Sequence, residues 1–555
     1  MGAPTQATAP MLVDTSGRPL RARMEGSNQY GEGHARSVFP YEAARWQSQE
    51  MGDWLPWIRS PDSEINQFRD RMVARSRDLY RNDGWIVGGI MRILDNTLGC
   101  DLRLHASPDY RALQRFDKAF DAVWADEYRK YIEARWRTFA YDVLHFNDVS
   151  QQQTIGQQFY LAMSHKLIDG DSLMLAYWKP ELVGAGGASY STCFQVVDPD
   201  RLSNPYQMVD TKHLRNGVEL DDDGIPVAYH IRRAHQNDWY NSVESMQWER
   251  IERRDPDGWQ RVFHGYEKKR AGQSRGIGIF APVISHMKML ARYYGVELQA
   301  ATLASVLGTY VTSPYDPAQV QDAIDDGSGD LSRYQSLRGE WHKERPALMG
   351  GVRVPTLAPG EDIKQVNAAH PHAEFTPFAQ EMQGVFAACT GQTREQVSMD
   401  WSKSNYSNLR GALADAFKTV VRRRSEFCTE SSTPMYATWL HEEFDNGDVP
   451  LPRNAPRYIE ARTEYSRCGW LGPGRGFIDK PKEIQGSAMA MDIGMGTLKR
   501  ETAELYGEDW EEQLDQRAIE RQAYASRGLP YPAWIGGPAG NTDEDKTLAS
   551  KTEAK

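Results

Sequence analysis

Cysteine is scarce in this chain, and its spacing argues against two kinds of cross-link. The 555 residues contain five cysteines, an odd number. They stand far apart, and no two form a CxxC pair: Cys100, Cys193, Cys389, Cys428 and Cys468. A disulfide framework needs paired cysteines, and a structural zinc site needs closely spaced ligands. The pattern therefore argues against both and indicates a reducing compartment.

The chain also lacks the short motifs that mark nucleotide and hydrolase sites. It contains no GxxxxGK[ST] phosphate loop, no HExxH zinc motif and no GxSxG nucleophile elbow. Two glycine-rich stretches, residues 276–278 and 472–476, do not follow a clear strand of a βαβ unit, so we interpret them as turns. A Ser/His/Asp triad has no fixed spacing and stays open, although nothing points to one. The sequence therefore predicts no catalytic residue and no cofactor, and the chain is predicted not to be an enzyme.

Potential metal ligands are present but isolated. The stretch His-Glu-Glu at residues 441–443 lacks a second histidine, and His-Pro-His at residues 370–372 lacks other ligands nearby. Residues 221–224 (Asp-Asp-Asp-Gly) are more typical of a solvated hairpin turn than of a cation site. Asp198 and Asp200 flank a proline at a predicted strand end, where they would cap a turn. No metal site is predicted.

Long apolar runs and an excess of positive charge are both missing. No stretch approaches the roughly 20 apolar residues of a membrane helix, and the N-terminus has no signal-peptide core, so no membrane association is predicted. Lys plus Arg is 65 and Asp plus Glu is 76, which leaves a net charge of −11. Tight non-specific binding of nucleic acid depends on Lys and Arg. The chain is therefore a poor candidate for it, although DNA could pass without being gripped. The basic clusters at residues 268–270 and 422–424 could contact phosphate or an acidic partner, but we interpret them as solvated faces.

A chain of this length is predicted to form two to four domains, and one long helix stands out. After a turn at residues 272–278, residues 279–307 show a helical repeat of apolar positions. The stripe that we expect to pack this helix contains Val283, Met287, Leu290, Tyr294, Leu298 and Ala301. At 1.5 Å per residue the helix would be about 43 Å long, beyond the usual globular length. Small residues at its far end suit lateral packing against copies of itself; the alternative is a core helix of a large enzyme.

The remaining segments predict an α+β fold, because a helical block precedes a block of short strands. Residues 63–98 and 110–146 have helical periodicity, and Asn82-Asp83-Gly84 interrupts the first. After Thr154 the region is predicted to be mainly β, with strands within residues 167–178, 194–198, 227–231 and 260–266. Further helices are predicted from Thr376, over residues 409–440 and over residues 483–527.

Five short segments occur in an informative order. They are residues 75–99 (RSRDLYRNDGWIVGGIMRILDNTLG), residues 169–174 (DGDSLM) with 196–202 (VVDPDRL), the turn with Gln273, Arg275 and Gly276, residues 404–417 (SNYSNLRGALADAF), and residues 474–520. Each is short, but together they span roughly residues 45 to 535. In this order they resemble the lambda-type family of tailed-bacteriophage portal proteins, the head-tail connectors, including that family's RxGQxRG turn and NYSSxR segment.

The resemblance implies a portal fold with an α/β wing, long stem helices, a small β-containing clip and a helical crown, assembled as a ring. On that pattern the chain would divide into a flexible N-terminal arm (1–40), a wing with a helical block and then a β block (41–278), a first stem helix (279–307), a clip (308–375), a second stem helix (376–397), a tunnel loop (398–410), a wing return (411–482), a crown (483–530) and a disordered tail (531–555).

The resemblance also implies a function. Rings of this family, usually of twelve subunits, occupy one capsid vertex and conduct double-stranded DNA during packaging and ejection. The implied partners are further copies of the chain, the DNA, the terminase large subunit, a head-tail adaptor protein, and the major capsid and scaffold proteins. The implied location is the virion, and the host cytoplasm during assembly. The alternatives are a phage-encoded nuclease or protease, or a capsid assembly scaffold without a channel. A constellation of ligands or nucleophile partners would favour the enzyme, and the sequence shows none.

The tunnel loop carries the residues that the resemblance implies to face DNA. They are Trp401, Lys403, Asn405, Tyr406 and Ser407. Lys403 would contact phosphate in an otherwise acidic lumen, and Tyr406 would make a packing or base-independent contact. The alternative is that Trp401 and Tyr406 anchor a buried loop.

Overall fold

A computed structural model describes residues 53–184, 187–306, 309–312, 340, 347–349, 352–354, 362–365, 375–402 and 404–530. The chain divides into two units, Met1–Arg59 and Ser60–Lys555. In the first unit, the described residues 53–59 are exposed and form no helix or strand. The predicted arm (1–40), most of the predicted clip (308–375) and the predicted tail (531–555) lie outside the described residues.

The second unit contains the helices α1 (Pro61–Asn82), α2 (Gly84–Thr97), α3 (Tyr110–Leu113), α4 (Ala122–Ala140), α5 (Ile155–Ile168), α6 (Ile284–Val306), α7 (Phe375–Thr390), α8 (Arg394–Ser398), α9 (Tyr406–Phe427), α10 (Thr433–Asp445), α11 (Arg462–Tyr465), α12 (Lys480–Asp492), α13 (Leu498–Leu505) and α14 (Trp510–Arg527). Its strands are β1 (Arg103–Ala106), β2 (Asp171–Trp178), β3 (Thr192–Val196), β4 (Leu214–Arg215), β5 (Val218–Leu220), β6 (Pro226–Arg232), β7 (Trp248–Glu252), β8 (Val262–Tyr266), β9 (Thr309–Thr312), β10 (Ala347–Met349), β11 (Val352–Val354), β12 (Asp362–Gln365) and β13 (Cys468–Leu471).

The predicted break between the first two helices is present, and it is caused by hydrogen bonds of a single residue, Asp83. Asp83 ends α1 by donating its backbone N–H to Leu79, and its side chain then accepts from the N–H groups of Trp85 and Ile86 to begin α2. One aspartate therefore serves as the C-cap of one helix and the N-cap of the next. Residues 110–146 were predicted to be one helix, but they contain two, α3 and α4. The Asp121 side chain caps the start of α4 by accepting from the N–H of Trp124.

Helix α5 was not predicted, because the region after Thr154 was expected to be mainly β. Thr154 and Gln157 form a reciprocal capping box at its start. That pair was a readable signal for a helix. Its Ile155, Phe159 and Met163 are buried in the core, so tertiary packing stabilises a segment whose periodicity is weak. Strand β7 was also not predicted; it pairs with β6.

Two sheets form the β block, and both are antiparallel. A three-stranded sheet has the order β3-β2-β8, and a four-stranded sheet has the order β4-β5-β6-β7. Leu173 and Leu175 of β2 pack in one apolar cluster with Val218 and Tyr229 of the second sheet. A further antiparallel pair, β1 with β13, connects the helical block to the segment that follows α11. The α+β prediction is confirmed.

A second and larger apolar cluster joins the helical block to α10. Its centre is aromatic: Trp136 lies 5.2 Å from Trp439 and Phe139 lies 5.9 Å from it, between ring centroids. Helix α9 continues into α10 through a π-helical turn, Cys428–Ser432. The segment predicted as one helix over residues 409–440 is therefore continuous, but its two halves differ in burial. Helix α9 buries only Phe427, whereas α10 is largely buried.

Candidate functional site: a buried ionic junction and an exposed loop

Segments far apart in the sequence meet at one buried carboxylate. Asp171 begins β2 and is fully buried. Its Oδ2 accepts from Nε of Arg275 at 2.7 Å and from a terminal nitrogen of Arg69 at 2.8 Å, while the N–H of Gly276 donates to Oδ1. Burial alone would raise the pKa of Asp171, but the Arg275 and Arg69 guanidiniums hold that pKa well below its usual range. The carboxylate is therefore ionised and shared by two cations.

The terminal N–H groups of Arg275 donate to backbone carbonyl oxygens. It donates to Leu202 and Asn216, each at 2.7 Å, and to Pro199 at 2.9 Å. The turn that leads into α6 is thereby bonded to β2 and to two loops of the β block. We call this set of contacts around Asp171 the ionic junction.

Glycine is required where the turn passes the start of β2. A Cβ on Gly276 would lie 1.9 Å from the carbonyl oxygen of Gly170, and Gly170 itself has φ +96°. No side chain fits at that separation, and only glycine adopts that φ without strain. The two glycines therefore let the backbones touch, which places Asp171 within reach of the Gly276 N–H.

A second cluster, centred on Arg77 of α1, lies beside the junction. Arg77 contacts Asp169 through two bonds of 2.8 Å, and it also contacts Asp198 and Asp200. The side chain of Asp198 accepts from the N–H of Asp200, as the predicted turn cap requires. The sequence reasoning found these aspartates and missed Arg77, whose only signal was its place in the segment at residues 75–99.

Two groups of three side chains in the described residues have the spacing of metal ligands. They are His165, Asp169 and Asp198, and Asp198, Asp200 and His235. Arg77 already contacts all three aspartates, so a metal ion would compete with its guanidinium for their oxygens.

The other candidate ligands have structural partners. Glu443 is fully buried and accepts from the hydroxyls of Tyr131 and Tyr190 and from Arg135, while Glu442 accepts from backbone N–H groups at the start of β3. The carboxylate of Asp221 accepts from N–H groups two and four residues later, as in the predicted hairpin turn. Residues 370–372 lie outside the described part of the chain.

The loop between α8 and α9 is exposed and organised by its own hydrogen bonds. Met399 ends α8 in the left-handed region, with φ 56°. Ser402 donates its N–H to the Asp400 carboxylate at 3.0 Å, and the Asn405 side chain caps α9 by accepting from the N–H of Asn408. The fold thus presents the loop without packing it against the core.

The structure places four of the five candidate loop residues on the surface of the single chain. Trp401 is 36% exposed and Tyr406 is 44% exposed, and Asn405 and Ser407 are also exposed. Lys403 lies outside the described residues. The two roles considered for Trp401 and Tyr406, channel contact or anchor of a buried loop, stay predictions.

The predicted stripe on α6 divides into two parts. Val283, in a 3-10 turn before the helix, and Met287 and Leu290 within it are buried in the chain's own core. Tyr294 is half-buried, with its ring 5.1 Å from that of Phe375 on α7. Further along, Leu298 is 69% exposed and Ala301 is half-buried. The first part of the stripe fixes the helix to its own chain, and within the described residues of α6 the far part has no buried position.

The three C-terminal helices attach to the rest of the unit through charges. His105 of β1 has its Nδ1 3.1 Å from a carboxylate oxygen of Asp509 and 3.4 Å from one of Glu133. Hydrogen bonding to Asp509 and then to Glu133 raises the pKa of His105, and the same contact lowers the pKa of Asp509 to about 2. Helix α14 itself has no buried residue. We call the His105–Asp509 contact the C-terminal latch.

The described helices include none that is long and apolar enough to cross a membrane.

The chain is similar to known proteins over most of its length. The family described as phage portal protein, lambda family, matches residues 47–424, which is more than half of the chain. The chain is 27% identical over 510 residues to portal protein B of Escherichia phage lambda, with 90% of this chain and 93% of that protein covered. It is 28% identical over 491 residues to the portal protein of Escherichia phage N15, with 87% and 90% covered. Among solved structures, a chain from the neck of an empty GTA particle aligns with a TM-score of 0.38 and 13% identity, covering 77% of this chain and 92% of that one.

Proposed function

The chain belongs to the lambda family of phage portal proteins, and from this premise we propose that it forms a ring at one capsid vertex and conducts double-stranded DNA. The ring is proposed to have twelve subunits, as the family resemblance implies. The match over residues 47–424 carries the proposal, because it includes the wing, the long helix and the exposed loop. Closure of a ring depends on the interface between copies, so the subunit number rests on the family alone.

The surface of the single chain supports assembly. From residue 291 to residue 302, α6 has no buried residue. The apolar side chains of Val296 and Leu298 are 54% and 69% exposed there. Helices α9 and α14 are similarly uncovered. Apolar side chains in such positions are typical of interfaces that form between molecules. The resemblance assigns α6 to the stem and α14 to the crown, while α9 runs from the tunnel loop (398–410) into the wing return (411–482).

The ring is tested by Leu298→Glu, which places a charge in the proposed interface. Val123→Glu is the matched control, because Val123 is also helical and is 67% exposed, but on α4. In native mass spectrometry, wild type and the control should form a closed oligomer and Leu298→Glu should remain largely monomeric. Monomers alone for wild type under all conditions, or equal assembly of the Leu298→Glu variant, would count against the ring.

The loop between α8 and α9 is proposed to face the DNA. Residues Asn405, Tyr406 and Ser407 at the start of α9 would lie on the channel wall, with Lys403 as a phosphate contact. Lys403→Glu should therefore leave rings intact and reduce packaged DNA. Trp401→Ala should assemble normally, since its ring is already exposed. Normal packaging by Lys403→Glu particles, together with failed assembly of Trp401→Ala, would contradict the channel assignment.

The remaining partners follow from the same premise. We propose that the ring receives the terminase large subunit during packaging and a head-tail adaptor afterwards, and that it contacts the major capsid and scaffold proteins. It would act in the virion, after assembly in the host cytoplasm. The chain is proposed to carry no enzymatic activity of its own. DNA cleavage or ATP hydrolysis that copurifies with the chain and is lost on substitution of a carboxylate would overturn that statement.

A further inference from the structure

A cavity of about 450 Å³ opens between the second sheet and the turn that leads into α6. One wall is apolar and aromatic, with Val218, Leu220 and Pro226 beside Tyr229. The turn, at residues 272–274, also lines the cavity. A concave space of this size, lined by apolar groups and a few polar ones, is typical of small-ligand sites.

The charges that line the cavity are mostly positive. They are the side chains of Arg215, Arg253 and Lys268, against the single carboxylate of Glu430, for a formal net charge of plus two. Two of these groups are already paired: Arg215 lies 2.9 Å from Asp62, and Glu430 contacts Lys166. Across the described part of the chain, Arg253 and Lys268 have no acidic or hydrogen-bonding side-chain partner. The cavity therefore offers two free cations.

A neutral donor accompanies these cations. Burial raises the pKa of Tyr229, which lines the cavity, to about 12, so its hydroxyl keeps the proton. The buried His264 ring also lines the cavity, but its Nε2 lies 3.5 Å from a carboxylate oxygen of Asp171 in the ionic junction.

We infer that this cavity binds a phosphate group through Arg253 and Lys268, with the Tyr229 hydroxyl as a neutral donor. A phosphate carries nearly two negative charges at neutral pH, which matches the charge of the lining better than one carboxylate would. Arginine and lysine both form strong charge-assisted hydrogen bonds to phosphate. The phosphate could come from a free small molecule or from a DNA backbone. The inference does not depend on ring formation.

The test uses the full chain and inorganic phosphate as the probe. Calorimetric titration at constant ionic strength should show saturable binding by wild type. The double variant Arg253→Ala/Lys268→Ala should bind at least about tenfold more weakly, because each lost charged hydrogen bond is worth about that factor. Both side chains are free of partners, so the variant should keep the unfolding midpoint of wild type.

A matched control separates this site from general surface charge. Arg254→Ala/Lys269→Ala removes the same charge from the neighbouring positions, which do not line the cavity. It should bind phosphate like wild type. No saturable binding by wild type, or an equal loss in the two double variants, would overturn the inference.

A competition arm distinguishes the two sources of phosphate. If a short DNA duplex displaces inorganic phosphate from wild type, the source is a DNA backbone. If phosphate binds and the duplex does not displace it, the ligand is a free small phosphate. Equal affinity of the duplex for wild type and for the Arg253→Ala/Lys268→Ala variant would place the DNA contact elsewhere and would contradict a backbone source.

Discussion

Asp171→Asn should be among the most destabilising isosteric substitutions in this chain. Asparagine has the same shape, but it removes the charge that Arg69 and Arg275 share, and both guanidiniums are buried. Removing one partner of a buried ion pair costs about 3–5 kcal/mol, because the remaining charge stays desolvated. The carbonyl contacts of Arg275 remain, so we expect a loss near the middle of that range.

The assay is urea unfolding followed by intrinsic tryptophan fluorescence, which the 16 tryptophans make sensitive. The matched control is Asp70→Asn, since Asp70 lies 3.9 Å from the same Arg69 but has a side chain that is 78% exposed. An exposed pair contributes little, so the control should change the free energy of unfolding by less than about 0.5 kcal/mol. A loss below about 1 kcal/mol for Asp171→Asn, or an equal loss for the control, would refute the reasoning.

The pH dependence supplies a second check on Asp171. Its pKa is lower in the folded chain than the ordinary value of 3.8, so its contribution is fully present above that value. As pH falls through the lowered pKa, the carboxylate takes up a proton and the contribution is lost. The stability difference between wild type and Asp171→Asn should therefore be constant near neutral pH and shrink in acid. A difference that grew in acid would have the wrong sign.

Two further predictions concern other contacts in the same unit. Gly276→Ala should yield little folded protein, because its Cβ would meet a backbone oxygen, whereas Gly84→Ala, where a Cβ meets nothing within 4 Å, should fold normally in a solubility and circular dichroism test. Asp509→Asn should expose the C-terminal helices to limited proteolysis. In wild type the His105 contribution to the latch is present below the ordinary histidine pKa of 6.5 and is lost as pH rises through the raised value, so protection should fall in alkali. Protection that increased with pH would contradict the latch.

The sequence alone determined the features whose causes are local. The Asp83 break, the Asp198 turn cap and the Asp221 hairpin turn all follow from side chains that bond to backbone groups within a few residues. Such contacts leave a readable pattern, because the partners are neighbours in the chain. The order of short segments also pointed to the family that residues 47–424 match.

Only the tertiary structure decided which residues form the ionic junction and the cavity. Asp171 and Arg275 are 104 residues apart and Asp171 and Arg69 are 102 apart, so no spacing rule connects them. The basic cluster at residues 268–270 was interpreted as a solvated face, but Lys268 lines the cavity together with Arg253, which follows β7. Likewise, one apolar stripe on α6 is buried up to Leu290 and exposed at Leu298. Periodicity shows which side of a helix is apolar, whereas burial depends on where other elements of the chain end, and that is a property of the whole fold.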